Sequence, residues 1–200
     1  MDVYNIELFL HVTGVVIVFA GYGALLLASA TFRIADRTEV VRATARLVAG
    51  RRVGFEYISV IDVVVIAGSL LLIIGGVTMA ASTWGFAQGW IDVSIGMILT
   101  LGPLGAFVVS PKLHRISVLA AQSPDGPLSG ALRAAIVDPV LTTILCGSTS
   151  GLIGVLFLMT DKPSLEVSVI AMILAVATGV VGARLWLQRD RRRPVGGIRR

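Results

Sequence analysis

Apolar runs long enough to cross a bilayer recur five times along the chain, separated by short charged segments. About 20 helical residues traverse roughly 30 Å of hydrocarbon. Charge-free stretches of that order run from Leu8 to Phe32, from Val63 to Ile91 with a polar turn inside it, from Val93 to Pro111, from Pro139 to Thr160 and from Val167 to Ala183. The predicted spans are 6–31, 57–80, 90–110, 139–160 and 165–187, which makes the fold an all-α, polytopic transmembrane helix bundle. Boundary residues agree. Asp138-Pro139 is an N-cap followed by proline at the first helical position. Trp84 and Trp90 flank the turn between the second and third spans, as aromatic residues do at a membrane interface. Gly102-Pro103 predicts a kink in the third span.

Between the spans the pattern changes. In 36–50, Val40, Val41, Leu47 and Val48 recur at helical spacing opposite Arg42 and Arg46, and Leu128, Ala131, Leu132, Ala135 and Ile136 do the same before the fourth span. Basic amphipathic helices of this kind either lie on anionic lipid headgroups or pack beneath the bundle. The chain divides into a bundle with cytoplasmic amphipathic connectors, 1–187, and a basic cytoplasmic tail, 188–200. A secretory leader ending at Ala28-Ser29-Ala30 is the competing reading of the first span. The acidic Asp2 and Glu7 and the length of the apolar run favour a retained helix.

Composition sharpens this picture. Of 200 residues, 56% are hydrophobic and 14% charged, and the mean hydropathy is +0.89. Water-soluble domains carry about 25% charge, so a soluble enzyme and a free nucleic-acid binder are excluded despite the net charge of +5. The basic excess has a sidedness. Sixteen of the seventeen Lys and Arg residues follow the first, third or fifth span, and only Lys162 falls between the fourth and fifth. The positive-inside rule then places the N-terminus outside and the C-terminus in the cytoplasm. Expected partners are the lipid bilayer, anionic headgroups at the cytoplasmic face, and other membrane proteins or a second copy of the chain, with no nucleic acid. Fifteen arginines against two lysines suggest a high-GC bacterial origin, hence a bacterial plasma membrane. The single Cys146 cannot form an internal disulfide.

Small or polar residues form stripes along the spans: Glu7, His11, Gly14, Gly21 and Ala28 in the first, and Asp62, Ser69, Gly76 and Thr83 in the second. Thr143, Gly147, Ser150 and Gly154 mark the fourth, and Ala171, Ala175, Gly179 and Ala183 the fifth. Helices in lipid associate through such seams, so a compact bundle accounts for them. Gly147-Ser148-Thr149-Ser150-Gly151 reads as packing in the same way.

Ionisable residues within a span are functional candidates because hydrocarbon makes them costly. His11 and Asp92 sit at similar depth near the outer boundary and could pair as a proton or metal site. Alternatively, His11 is a hydrogen-bonded packing residue and Asp92 complements a helix dipole. Asp62, near the inner end of the second span, has Glu56, Arg33 and Arg115 at similar depth and is expected to be a structural ion-pair partner. His114 lies on the inner side, so His11 and His114 cannot hold one haem together. Met1, Met79, Met97, Met159 and Met172 all fall in the outer half with His11. Thioether and imidazole suit Cu(I), which makes His11, Met97 and Met79 candidate metal ligands.

The segment Leu8-Phe9-Leu10-His11-Val12-Thr13-Gly14, continuing to Gly21 and Gly23, resembles the "LHxxG" opening of the predicted integral membrane proteins of domain-of-unknown-function family 2269. The run from Gly75-Gly76 through Gly89-Trp90-Ile91 to Pro111-Lys112-Leu113 is similar to that family's second hairpin. The resemblance covers roughly residues 6–120 and implies a multi-helix bacterial plasma-membrane protein without an assigned activity. Copper resistance D proteins and the membrane protoporphyrinogen oxidases share the His-bearing first helix and the Trp-led third helix. The oxidase pattern has a lysine after that tryptophan and a basic residue farther along the first helix. Asp92-Val93-Ser94 and Gly21-Tyr22-Gly23 stand there instead, and His11 is the position that carries over. The expected function is that of a structural or accessory membrane component. The alternatives are a haem- or copper-linked redox protein using His11, and a proton- or ion-coupled transporter using His11, Asp92 and Asp62.

Overall fold

The computed structural model describes residues 2–53 and 56–192. Eight helices carry most of it: α1 Val3–Ile34, α2 Thr38–Val48, α3 Val60–Met79, α4 Gly89–Leu104, α5 Ser110–Gln122, α6 Gly130–Ile136, α7 Pro139–Asp161 and α8 Leu165–Arg192. Five helical segments, Val3–Ile34, Val60–Trp84, Gly89–Gln122, Gly130–Asp161 and Leu165–Arg189, are long and apolar enough to cross a membrane. The expected bundle is therefore present. The tail predicted as separate from residue 188 continues α8 as far as Arg192, and Arg193, Arg199 and Arg200 lie outside the described residues.

The fold is all-helical as expected, with two local features the sequence reading did not include. A short antiparallel ribbon, β1 Arg51–Val53 with β2 Glu56–Ile58, precedes α3 and pairs Arg51 with Ile58. The predicted second span began at 57, inside β2; Ser59 instead fixes the start, because its hydroxyl accepts from the Asp62 backbone N–H while the Asp62 carboxylate accepts from the Ser59 N–H. This reciprocal pair satisfies two helix-end donors. The third span also runs on past its predicted end at 110, from α4 into α5 through a π-helical segment at Gly105–Val109. Pro103 and Pro111 each lack an N–H, and the wider turn between them absorbs the disturbed hydrogen-bond ladder.

The helices pack as two close antiparallel pairs, α1 with α3 and α7 with α8, bridged by α4 against α7 and α8. Backbone approach sets both pairs. A Cβ on Gly14 would collide with the backbone of Leu72 and Gly68, and a Cβ on Gly179 with the backbone of Cys146 and Gly147. The stripes predicted on α1 and α8 face these contacts. On α3 the buried seam is Gly68, Leu72 and Gly75; of the predicted Asp62, Ser69, Gly76 and Thr83, Gly76 borders it against His11, and the seam is centred one residue away because α1 sits in the groove beside Gly75.

The densest core lies at one end, where α2, α5 and α6 close the bundle: Val41, Ala45, Ile116, Ala120 and Leu132 are essentially inaccessible. Of the two expectations for the connectors, packing beneath the bundle describes Val41, Ala45 and Val48, whereas Val40 and Leu47 face outward. Arg42, expected opposite the apolar face, turns inward. Its guanidinium donates to Ala120 O at 3.0 Å, Ser123 O at 2.7 Å and Asp125 Oδ1 at 2.7 Å, satisfying carbonyls at the end of α5. Asp138 caps α7 as predicted, accepting from Val140 N and Leu141 N, and also takes Lys112 Nζ at 2.5 Å.

Two glycine substitutions should separate contact from propensity. Gly14→Ala is expected to lower stability in detergent by about 1–3 kcal/mol through overpacking. Gly23→Ala, where an added Cβ meets nothing within 4 Å, should raise it by up to about 1 kcal/mol through helix propensity. Thermal unfolding of the two variants checks the opposite signs, and shifts of the same sign would contradict the packing described.

Candidate functional site

His11 lies a little over two turns into α1, on the face that meets α3 where Gly75 and Gly76 carry no side chains. A Cβ at Gly75 would stand 2.6 Å from Glu7 O and 2.7 Å from His11 N, and one at Gly76 would stand 3.0 Å from His11 Nδ1. The bare backbone lets the imidazole lie against α3, where Nδ1 is 2.8 Å from Leu72 O. A carbonyl oxygen only accepts, so Nδ1 carries a proton, and in the neutral tautomer so fixed Nε2 is a bare lone pair. Nε2 faces Met159 Sδ of α7 at 3.2 Å. The ring is 7% exposed.

This pair forms part of the wall of a cavity of about 450 Å³ between α1, α3, α4 and α7. The lining is mostly aliphatic and aromatic. Its hydroxyls largely serve their own helices: Ser94 donates to Trp90 O at 2.7 Å and Thr160 to Leu156 O at 2.7 Å. At the bundle end Trp84 and Trp90 meet edge to face with centroids 6.1 Å apart. Lys162 ends α7 in a left-handed conformation, φ 51°, and lays its Nζ 3.8 Å from the Trp84 ring centroid.

The remaining predicted residues separate. Met79 lines the cavity with His11. Met97 is turned away from it and packs across Gly151, while Met172 packs on Gly154. Met1 lies outside the described residues. Asp92 is exposed in the first turn of α4 and does not line the cavity, so the structure does not bring it to His11. Asp62 stands at the other end of α3; beyond its capping box it accepts from Ser59 Oγ at 2.7 Å and Ser110 Oγ at 3.3 Å. No cation is within ion-pair distance of it among the described residues, so capping takes the place of the expected ion pair. His114 lies at the connector end, 3.2 Å from Gly50 O, remote from His11 as depth required.

Sequence reasoning did not single out Met159 as the partner of His11, nor Lys162 as a cavity residue. Only the second left a usable signal, as the sole cation at its end of the bundle. Comparison with protein-family models, with curated proteins and with solved structures found no match for the chain.

Asp62→Ala is expected to lower stability by about 1 kcal/mol through loss of the cap. Asp92→Ala, which loses only a dipole interaction, should cost no more than about 0.5 kcal/mol. Equal losses in denaturant titrations of the two variants would remove the distinction between these carboxylates.

Proposed function

We propose that this chain is a multi-pass bacterial plasma-membrane protein, N-terminus outside and C-terminus in the cytoplasm, and that it is an accessory component holding a soft metal ion, Cu(I), between His11 and Met159. The orientation is supported by the lone Lys162 at one end of the bundle against sixteen cations assigned to the other. The bacterial setting is supported by the arginine-rich basic set and by the resemblance of the first helices.

The observation that carries the metal reading is the facing of Nε2 and Sδ at 3.2 Å with Nδ1–H already given to Leu72 O. Neither facing atom of the neutral pair has a hydrogen to share. Two lone pairs so placed form a nitrogen–sulfur donor pair that a cation between them would draw on. A soft cation suits both donors, and a histidine whose second nitrogen is fixed by a backbone carbonyl is the usual outer-shell arrangement of a metal-bound imidazole. The ion would be held by His11 and Met159, with Met79 on the same cavity wall. Bound Cu(I) would supply a one-electron redox couple or a transferable ion; the chain's own part is to orient the imidazole and keep water away.

The transport reading needs a polar path, and His11, Asp92 and Asp62 lie apart, Asp62 engaged as a cap.

Titration of detergent-purified protein with Cu(I) against a competing chelator tests the proposal. One equivalent should bind, and Met159→Leu and His11→Phe should each weaken it by about tenfold or more. Met97→Leu should leave it unchanged. Wild-type affinity in Met159→Leu would overturn the assignment.

A further inference from the structure

The cavity has a second chemistry that the His11–Met159 pair does not use. Lys162 is the only charged residue in its lining. Its ammonium rests on the Trp84 ring and forms no ion pair with any described carboxylate. Glu7, Asp92, Asp161 and Glu166 belong to the same end of the bundle, yet none of them lines the cavity. Glu7 is engaged by Ser82 Oγ at 3.2 Å.

The dimensions are equally specific. On α1 the lining runs from Tyr4 to Val15, eleven steps of 1.5 Å, or about 16 Å along the axis. On α4 it runs from Trp90 to Leu99, nine steps, or about 14 Å. Half of a 30 Å hydrocarbon layer is about 15 Å, so the cavity is as deep as one leaflet. A volume of about 450 Å³ over that depth makes the cavity longer than it is wide. The cavity also has a way in from the side. α3 and α4, though joined by a short turn, are not among the helix pairs that pack together. Lining residues on both of them, Val77 and Leu99, are exposed. In a bilayer that gap opens onto acyl chains.

We infer that the cavity binds a long-chain fatty acid, its chain running between α1, α3, α4 and α7 and its carboxylate on Lys162 beside Trp84. The inference rests on the bilayer reading of the five helices but not on the metal reading. The ammonium supplies the donors a carboxylate requires, in a charge-assisted hydrogen bond that is stronger than a neutral one. The Trp84 ring holds the ammonium in place before the ligand arrives, which lowers the ordering cost of binding. The mostly aliphatic wall takes up the chain, and the hydroxyls of Ser94 and Thr160 in it are already satisfied.

The tryptophans report on the site directly. A dibrominated stearic acid, whose bromines quench indole fluorescence on contact, is titrated into the full chain in nanodiscs of neutral lipid, with Trp186→Phe as the background. Saturable quenching is expected, weakened about tenfold in Lys162→Gln and restored in Lys162→Arg. The methyl ester of the same acid should behave like the Lys162→Gln variant. Equal affinity for acid and ester, or an unchanged affinity in Lys162→Gln, overturns the carboxylate assignment. Equal saturable quenching by a brominated two-chain anionic phospholipid overturns it in favour of a leaflet lipid. Lys162→Gln should leave the Cu(I) titration intact, so failure of the metal site and failure of the lipid site are read separately.

Discussion

The approach of the α1 backbone to the α3 backbone is the contact on which the site depends. Helices in lipid gain nothing from burying apolar surface against each other, so they associate where small residues let their backbones come close. Gly14 meets the backbone of Leu72 and Gly68, and Gly75 meets that of Glu7 and His11. With side chains at these positions α1 would stand off α3, and the imidazole would lose Leu72 O. Its tautomer would then be unfixed, and Nε2 would no longer be directed at α7. A packing rule thus becomes a chemical one, because the residue seated in the groove is a histidine.

The two ends of the bundle are built differently. At the connector end α2, α5 and α6 bury a continuous core, and three charged groups there are engaged: Arg42 on the end of α5, Lys112 on Asp138, Asp62 on Ser59 and Ser110. At the tryptophan end the packing opens into a cavity, and an ammonium is left resting on an aromatic face. Sites that must admit a ligand are drawn from the less tightly packed parts of a structure. Here those parts coincide with the methionine-bearing half of the chain and with Lys162.

The metal and the amphiphile readings share a wall without sharing atoms. His11 and Met159 offer a nitrogen and a sulfur to a soft ion, whereas Lys162 offers donors to an anion at the rim. An alkyl chain in the cavity would cover the His11–Met159 pair and exclude water from it. The close helix pairs on either side, α1 with α3 and α7 with α8, give the cavity stable flanks, and the loosely joined α3 and α4 give it an entrance.

By itself the sequence determined five apolar helices, the amphipathic connectors, the Asp138 cap and the stripes on α1 and α8, because each is local: a run length, a period of 3.6 or a residue pair read along one helix. It also singled out His11 as a costly group in an apolar span. It did not yield the β1–β2 ribbon, whose pairing joins backbones without a hydrophobic signature, nor the inward turn of Arg42 onto carbonyls 78 and 81 residues away. The Asp62, Ser69, Gly76 and Thr83 stripe followed a true heptad and yet only bordered the buried seam, at Gly76, since one residue of rotation depends on where α1 lies. Only the tertiary structure decided that the partner of His11 is Met159, 148 residues away, in preference to Met97. Ligand identity across helices depends on relative rotation and depth, and those are set by glycine contacts between helices that no single helix records.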